Sequence, residues 1–369
     1  MKNTLKIISC YSADTAGVCS ILYEMGGMVV VHDASGCNST YSTHDEPRWS
    51  KYPSNIFISA LTERDAIMGR DETLTDNTVK AAKELEPRFI CLCGSPMPAL
   101  IGTDFYALAS EIEKKTSIPT FSVATTGTYS YIQGAGLALK EFIIKTSVYK
   151  KREENTVNIL GYTPLDLYIN GQKERIVKLF EDKGIKVNFS SEYSENILNA
   201  SHNLVVSQSG MEAAKYMWEN YDIPYMCALP IGEKLSKFVL DIPNIKEPVF
   251  LERNTAKTSF YILGESLFSQ SLAKALSLEE GIDAGVVYTL EKEDRAVAPC
   301  DYTTSTEEDT ENFLKEKAEN IIADPIYKHI SPVNAKFMSL PHFAFSGRCF
   351  EHNIPNLMCD DHALKEVIK

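Results

Sequence analysis

The chain has 369 residues, enough for two or three domains with sizeable cores, and its 44% hydrophobic and 24% charged content excludes a disordered or fibrous chain. Thirty-seven basic against 50 acidic residues leave a formal charge of −13, which repels phosphate backbones and anionic bilayers and so argues against nucleic-acid and membrane partners. No stretch approaches the roughly 20 apolar residues that span a bilayer, and the apolar run in MKNTLKIISCYSADTAG is too short for a signal peptide, which points to the cytoplasm.

Short apolar runs alternate with longer amphipathic stretches almost from end to end, the pattern of strands followed by crossover helices in parallel α/β layers. LKIIS (residues 5–9) reads as a strand and residues 15–25 as a helix, followed by strands MVVVH (28–32) and IFISA (56–60). FICLC (89–93), a helix over 105–115, TFSV (120–123) and a long helix over 129–145 complete a first domain, 1–150. The charged run KKREEN interrupts the hydrophobic pattern at 150–155 and marks its end. The second domain, 151–255, opens with VNILGY (157–162) and runs through a helix over 171–183, IKVNF (185–189), NLVVS (203–207) and a helix over 210–220 to IPYMC. The third, 256–369, restarts at FYILGES (260–266), with a helix to 276 and then AGVVYTL (284–290). Its acidic stretch STEEDTENFLKEKAE (305–319) reads as a solvated helix capped by Ser305 or Thr306. The expected fold class is α/β, three Rossmann-like domains with parallel sheets around a central cleft.

Nine cysteines in a chain without an export signal read as reduced thiols or metal ligands rather than a disulfide framework, although buried cysteines need no further role. No G-x-x-x-x-G-K-[ST] occurs, so ATP chemistry belongs to a partner. The turns ILGYTPLD (159–166) and ILGESLF (262–268) each offer a single glycine and read as structural turns ahead of nucleotide sites. The most informative segment is HDASGCNSTYSTHDEPRW (32–49), a strand ending in a glycine-cysteine turn followed by hydroxyl, acidic and aromatic side chains. Cys37 lies where open α/β sheets place their ligands, and reads as a ligand or reactive thiol against the alternative of a buried structural one. Cys10 also ends a strand, and converges with Cys37 if the first two strands are neighbours. Cys91 and Cys93 share one face of an extended strand; Cys93, just before GSP, is the better ligand candidate and Cys91 the better core residue.

The order of Cys10, Gly17-Val18, VHDASGC, ALTERDAIMG, FICLCGSPMPALIGTDF and SIPTFSVATTG closely resembles the N-terminal domain of nitrogenase component 1-type oxidoreductases. VNILGYTPLDLYINGQKERIVKLFEDKGIKVNF, NLVVSQSGMEAAKYMWENYDIPYMCALPIG, FYILGESLFSQSLAKAL, ADPIYK and LPHFAFSGR continue the resemblance, which spans essentially the whole chain. It implies an iron–sulfur cluster, [4Fe-4S] or P-cluster-like, held by cysteines at the interface between two homologous subunits. Cys37 matches the glycine-cysteine position and Cys10 the first ligand position within a shift of one or two residues. The third thiol position falls at Pro96, so Cys93 substitutes only if its loop bends back. Fewer than four thiolates per chain imply a homo- or heterodimer, or a tetramer, whose symmetry doubles Cys10 and Cys37, or else a non-cysteine ligand such as Ser12 or Asp33. The cysteine that anchors the large metal cofactor of the α-type nitrogenase subunit has no counterpart in VSQSG (206–210), and His342 lies in the part of the sequence where that subunit has a histidine ligand. N2 reduction is therefore not expected.

What the resemblance implies is a subunit that takes low-potential electrons from a separate ATP-dependent iron–sulfur reductase and reduces a substrate or cofactor other than N2. Proton delivery would fall to His32, His44, Asp45 or Glu46, which otherwise form a solvated loop with an Asp/Glu-Pro turn. Arg48 and Trp49 pack a subunit interface or frame the cluster pocket. A tetrapyrrole reductase-type subunit is one alternative, favoured by chain length. A non-catalytic cofactor-assembly scaffold or structural partner subunit is the other.

Overall fold

In the computed structural model, which describes residues 5–36, 39–43, 45–52, 54–189 and 196–369, three parallel sheets follow one another along the chain. The first unit comprises α1 (Asp14–Leu22), β1 (Met28–His32), β2 (Ile56–Ile58), α2 (Glu63–Met68), α3 (Asp71–Leu85), β3 (Ile90–Gly94), α4 (Pro96–Ile101), α5 (Phe105–Thr116), β4 (Thr120–Val123) and α6 (Tyr131–Thr146). Its strands lie in the order β2-β1-β3-β4, every pair parallel. β1 and β3 are buried at every position, and apolar apart from His32 at the end of β1, because helices cover both faces of the sheet. The twofold alternation of strand side chains sends Val29, Val31, Cys91 and Cys93 into the core with α1 and α6, and Met28, Val30, Ile90 and Leu92 into the one with α3 and α5. α1 and α6 cross in backbone contact. A Cβ on Gly17 would stand 2.0 Å from the Tyr131 carbonyl oxygen, and one on Gly134 1.9 Å from that of Asp14, so only glycine admits the crossing.

The second unit holds β5 (Glu153–Leu160), α7 (Gln172–Glu181), β6 (Lys186–Asn188), β7 (Ala200–Val205), α8 (Met211–Tyr221), β8 (Tyr225–Cys227), α9 (Gly232–Val239) and β9 (Val249–Phe250), in the order β6-β5-β7-β8-β9. The third holds β10 (Phe260–Leu263), α10 (Ser266–Glu280), β11 (Gly285–Tyr288), β12 (Tyr302–Thr303), α11 (Glu307–Lys317), β13 (Asn320–Ala323), β14 (Lys336–Ser339), α12 (Phe343–Ser346) and α13 (Asp361–Val367), in the order β12-β11-β10-β13-β14. The acidic helix is α11; the Thr306 hydroxyl accepts from the Asp309 amide, and Glu307, Glu308 and Asp309 occupy the first turn. At the C-terminus the chain runs back to the second unit, where Cys359 N donates to Pro230 O at 2.7 Å and Asp360 meets Arg175 at 2.7 Å. Among the described residues no helix is long and apolar enough to cross a membrane.

One expected strand is absent. Residues 5–9 form no strand and instead lie as an arm on the third unit. The reason is electrostatic and apolar together. The amides of Lys6 and Ile7 donate to the Glu307 carboxylate at 2.9 and 3.0 Å, Lys6 Nζ meets Glu311 at 2.6 Å, and Ile7 is buried in the core that holds Tyr261, Leu263 and Tyr327. Replacing Glu307 with alanine should loosen this arm by about 1 kcal/mol, the ordinary net value of such hydrogen bonds. Hydrogen exchange at the Lys6 and Ile7 amides should then quicken about fivefold, with exchange in the β1 core unchanged.

Candidate functional site

Cys10 ends the arm rather than a strand. Its Sγ lies 3.2 Å from the carbonyl oxygen of Ala344 in α12 and 3.5 Å from that of Ser12. Burial pushes this thiol up to about 12. A thiol so desolvated stays protonated unless a cation takes the place of its proton. Beyond it, Tyr11, Ser12, Tyr41 and Asp45 line one small crevice with Cys19 and Glu46, so the arm lies against the loop that follows β1. Burial, reinforced by nearby Cys19 and Asp45, raises the Tyr41 hydroxyl to about 12. Cys37 and His44 lie outside the described residues; Tyr41, Asp45 and Glu46 are the loop residues that meet the arm.

The other sequence candidates separate. His32 is on the α3 and α5 face of the first sheet, where Nδ1 is 2.7 Å from Ser59 Oγ and the ring stands edge-on to Phe105. Burial lowers its pKa and favours the neutral ring. Strand parity therefore turns it away from α1 and the arm. Asp33 caps its own turn, Oδ1 accepting from the Ala34 amide at 2.8 Å. Glu46, expected as a proton donor, is 5% exposed and bound to Arg48, which donates from Nε to Oε1 at 2.6 Å and from Nη2 to Oε2 at 2.9 Å. Arg48 also donates to the Ser20 carbonyl at 2.7 Å and lies over the Tyr23 ring. The two tie the loop to α1, and a carboxylate so paired is a structural anchor. Trp49 is half-exposed.

Cys93 is fully buried in the core with Cys19 and Cys91, and burial pushes its thiol far up. β3 passes straight from Gly94 into α4, with Ser95 as cap and Pro96 in the first turn, so the loop does not bend back. Cys93 is thus a core thiol like Cys91.

The structure assembles a second cluster that sequence reasoning passed over, at the junction of the three sheets. The turn after β5, where Gly161 (φ +85°) lets the chain pass close to Gly210, carries Asp166, and the turn after β10 carries Glu265. Tyr131, at the start of α6, donates to Asp166 Oδ1 at 2.5 Å, and His342 Nε2 stands 3.5 Å from the same oxygen. Glu265 caps α10, accepting from the amides of Leu267 and Phe268 at 3.2 and 2.7 Å, and from Gln208 of the second unit at 2.8 Å. Burial, with the Glu265 charge beside it, pushes the Asp166 carboxyl well above the carboxylate range; burial raises Glu265 as well. Burial alone holds the His342 imidazole down at about 3. Protonated acid and neutral imidazole are the forms this site favours. The available signal was an acid in each of the two glycine turns that read as merely structural.

The family model described as nitrogenase component 1 type oxidoreductase matches residues 14–243. The nitrogenase molybdenum-iron protein beta chain of Bradyrhizobium diazoefficiens is 28% identical over 178 residues, covering 45% of this chain and 34% of that one. The nitrogenase iron-molybdenum cofactor biosynthesis protein NifE of Methanococcus maripaludis is 25% identical over 170 residues, 43% of this chain and 34% of its own. A light-independent protochlorophyllide reductase subunit of Leptolyngbya boryana is 25% identical over 197 residues, 48% and 38% of the two chains. The chain thus matches about a third of the length of these relatives. The fold is shared with nitrogenase Cp1, at a TM-score of 0.70 and 16% identity over 96% of this chain and 90% of that one. The matched span and the three parallel sheets together establish that this chain belongs to the nitrogenase component 1 type oxidoreductase family.

Proposed function

We propose that the chain is a subunit of a nitrogenase-like oxidoreductase that receives low-potential electrons from an ATP-dependent iron–sulfur reductase and reduces a substrate other than N2. The observation that supports this reading is that Tyr11 and Ser12, just after Cys10, meet Tyr41 and Asp45 of the loop after β1. Among the described residues no three His, Cys, Asp or Glu side chains converge as a metal site, so a cluster here would need Cys10, Cys37 and their equivalents from a homologous subunit. Such a cluster, when bound, supplies one-electron storage at low potential. A surface for the second subunit is available along α2, α4 and α5, where Ile67 (74% exposed), Leu100 (85%) and Tyr106 (82%) present apolar side chains to solvent.

Cys10 lines a pocket of about 400 Å³ with Ile8, and a second of about 560 Å³, lined by Ile8, Tyr11, Asp45, Ile326, Phe345 and Arg348, opens next to it. Its apolar walls and polar rim suit an organic substrate held next to the cluster, which favours a reductase over a scaffold. Tyr11, whose hydroxyl burial holds in the protonated form, is the group that would donate a proton there.

Anaerobic purification with iron and acid-labile sulfide analysis tests the reading. Cys37→Ala should abolish bound iron, Cys10→Ser should lower it and weaken dimerisation together, and Cys93→Ser should leave it nearly unchanged. Full iron in folded Cys37→Ala protein would sink the assignment. Calorimetry should register no ATP binding to the isolated chain.

A further inference from the structure

The junction of the three sheets is where the α-type subunit's cofactor ligands would fall by resemblance, and its dimensions can be set against that group. The turn after β7 brings Ser207 and Ser209 beside Asp166, and the segment after β14 brings His342. Asp166 and His342, with Gln172 and Ser269, line a cavity of about 20 Å³, against the roughly 10–15 Å³ that one water requires. A multi-iron group is far larger than either. The wall also lacks the thiolate that iron–sulfur groups take: it offers hydroxyl, amide, carboxyl and one imidazole, and no thiol.

The residues on this wall carry polar atoms that have no hydrogen-bond partner: Asp166 Oδ2, Gln172 Oε1, Ser269 Oγ and both ring nitrogens of His342. These residues are 7%, 2%, 0% and 8% exposed. Orphaned buried polar atoms are rare and costly, and a buried water with two to four polar partners is the usual way they are satisfied. The residues lining this water-sized space carry five such atoms, enough for the two to four partners a water takes, and the neutral imidazole offers one donor and one acceptor to it.

We infer that the junction of this chain holds an ordered water bonded to Gln172, Ser269 and His342 and excludes a metal cofactor, so that any metal the protein carries lies at the Cys10 arm. The last clause rests on the proposed function; the water does not. Crystals of the anaerobically iron-loaded full chain, measured on both sides of the iron absorption edge, decide between the alternatives. A water peak within hydrogen-bond distance of Gln172, Ser269 and His342, with no anomalous peak there, is expected. An iron peak about 2.0–2.3 Å from a His342 nitrogen, the span of ordinary metal–ligand bonds, would overturn the inference, and so would a dry cavity. In solution, His342→Gln and Gln172→Leu should leave iron content unchanged; a fall to half or less in either variant, with its circular dichroism intact, counts against it. Protein that binds no iron at all removes the Cys10 reading while the water peak still tests this one.

Discussion

Arg253→Leu is expected to destabilise the chain by about 3–5 kcal/mol, the usual cost of removing one partner from a buried ion pair. Arg253 lies in the connection from β9 to β10, and Asp301 stands immediately before β12, so the pair joins the link between the second and third units to the edge of the third sheet. Both side chains are almost completely buried. Arg253 donates to both carboxylate oxygens of Asp301, to the Tyr288 hydroxyl at 3.2 Å and to the Ala296 carbonyl at 3.3 Å. Asp301 also accepts from the amides of Val286 and Ala298, each at 2.9 Å, and from Tyr288 at 2.8 Å. Leucine would leave that carboxylate charged, buried and without its cation. Arg253→Lys should recover only part of the loss, because an ammonium cannot span the same fan of acceptors. Denaturant unfolding followed by circular dichroism measures both; a loss below about 1 kcal/mol for the leucine variant would contradict the geometry.

His342 should make the protein less stable in mild acid. Its folded-state pKa, held by burial at about 3, lies below the unfolded value of 6.5, so the unfolded chain binds the proton first. The contribution is fully present above the unfolded pKa and is lost as pH falls through the window from about 6.5 to 3. Between pH 7 and pH 5 this one group should cost about 2 kcal/mol. Burial also lowers His32 and His202, which act with the same sign. Asp166 and Glu265 act with the opposite sign, since their raised pKa values stabilise the fold at low pH and that stabilisation fades as pH rises. All four remain in a His342→Gln variant. The difference between wild type and variant in their change of unfolding free energy from pH 7 to pH 5 therefore isolates His342; equal changes would mean that the imidazole is solvated.

The sequence by itself determined the three-sheet α/β plan. MVVV, ICLC and FYIL are apolar at consecutive positions because parallel strands are covered on both faces, and that requirement is local enough to read from a few residues. The cap of α11 was legible for the same reason, since Thr306 and its acidic first turn bond within four residues. Only the tertiary structure decided the rest. LKIIS has strand composition, yet its amides are claimed by Glu307, 300 residues away in sequence, so Cys10 is presented by an arm. Cys93 and Glu46 looked available in isolation; the core around β3 and the guanidinium of Arg48 remove them. Tyr131, Asp166, Glu265 and His342 carry no common motif, because each closes a different strand or helix end. Their shared protonation behaviour arises where the segments that follow strands of the three sheets meet and are buried, and burial of that kind is a property of the assembled fold.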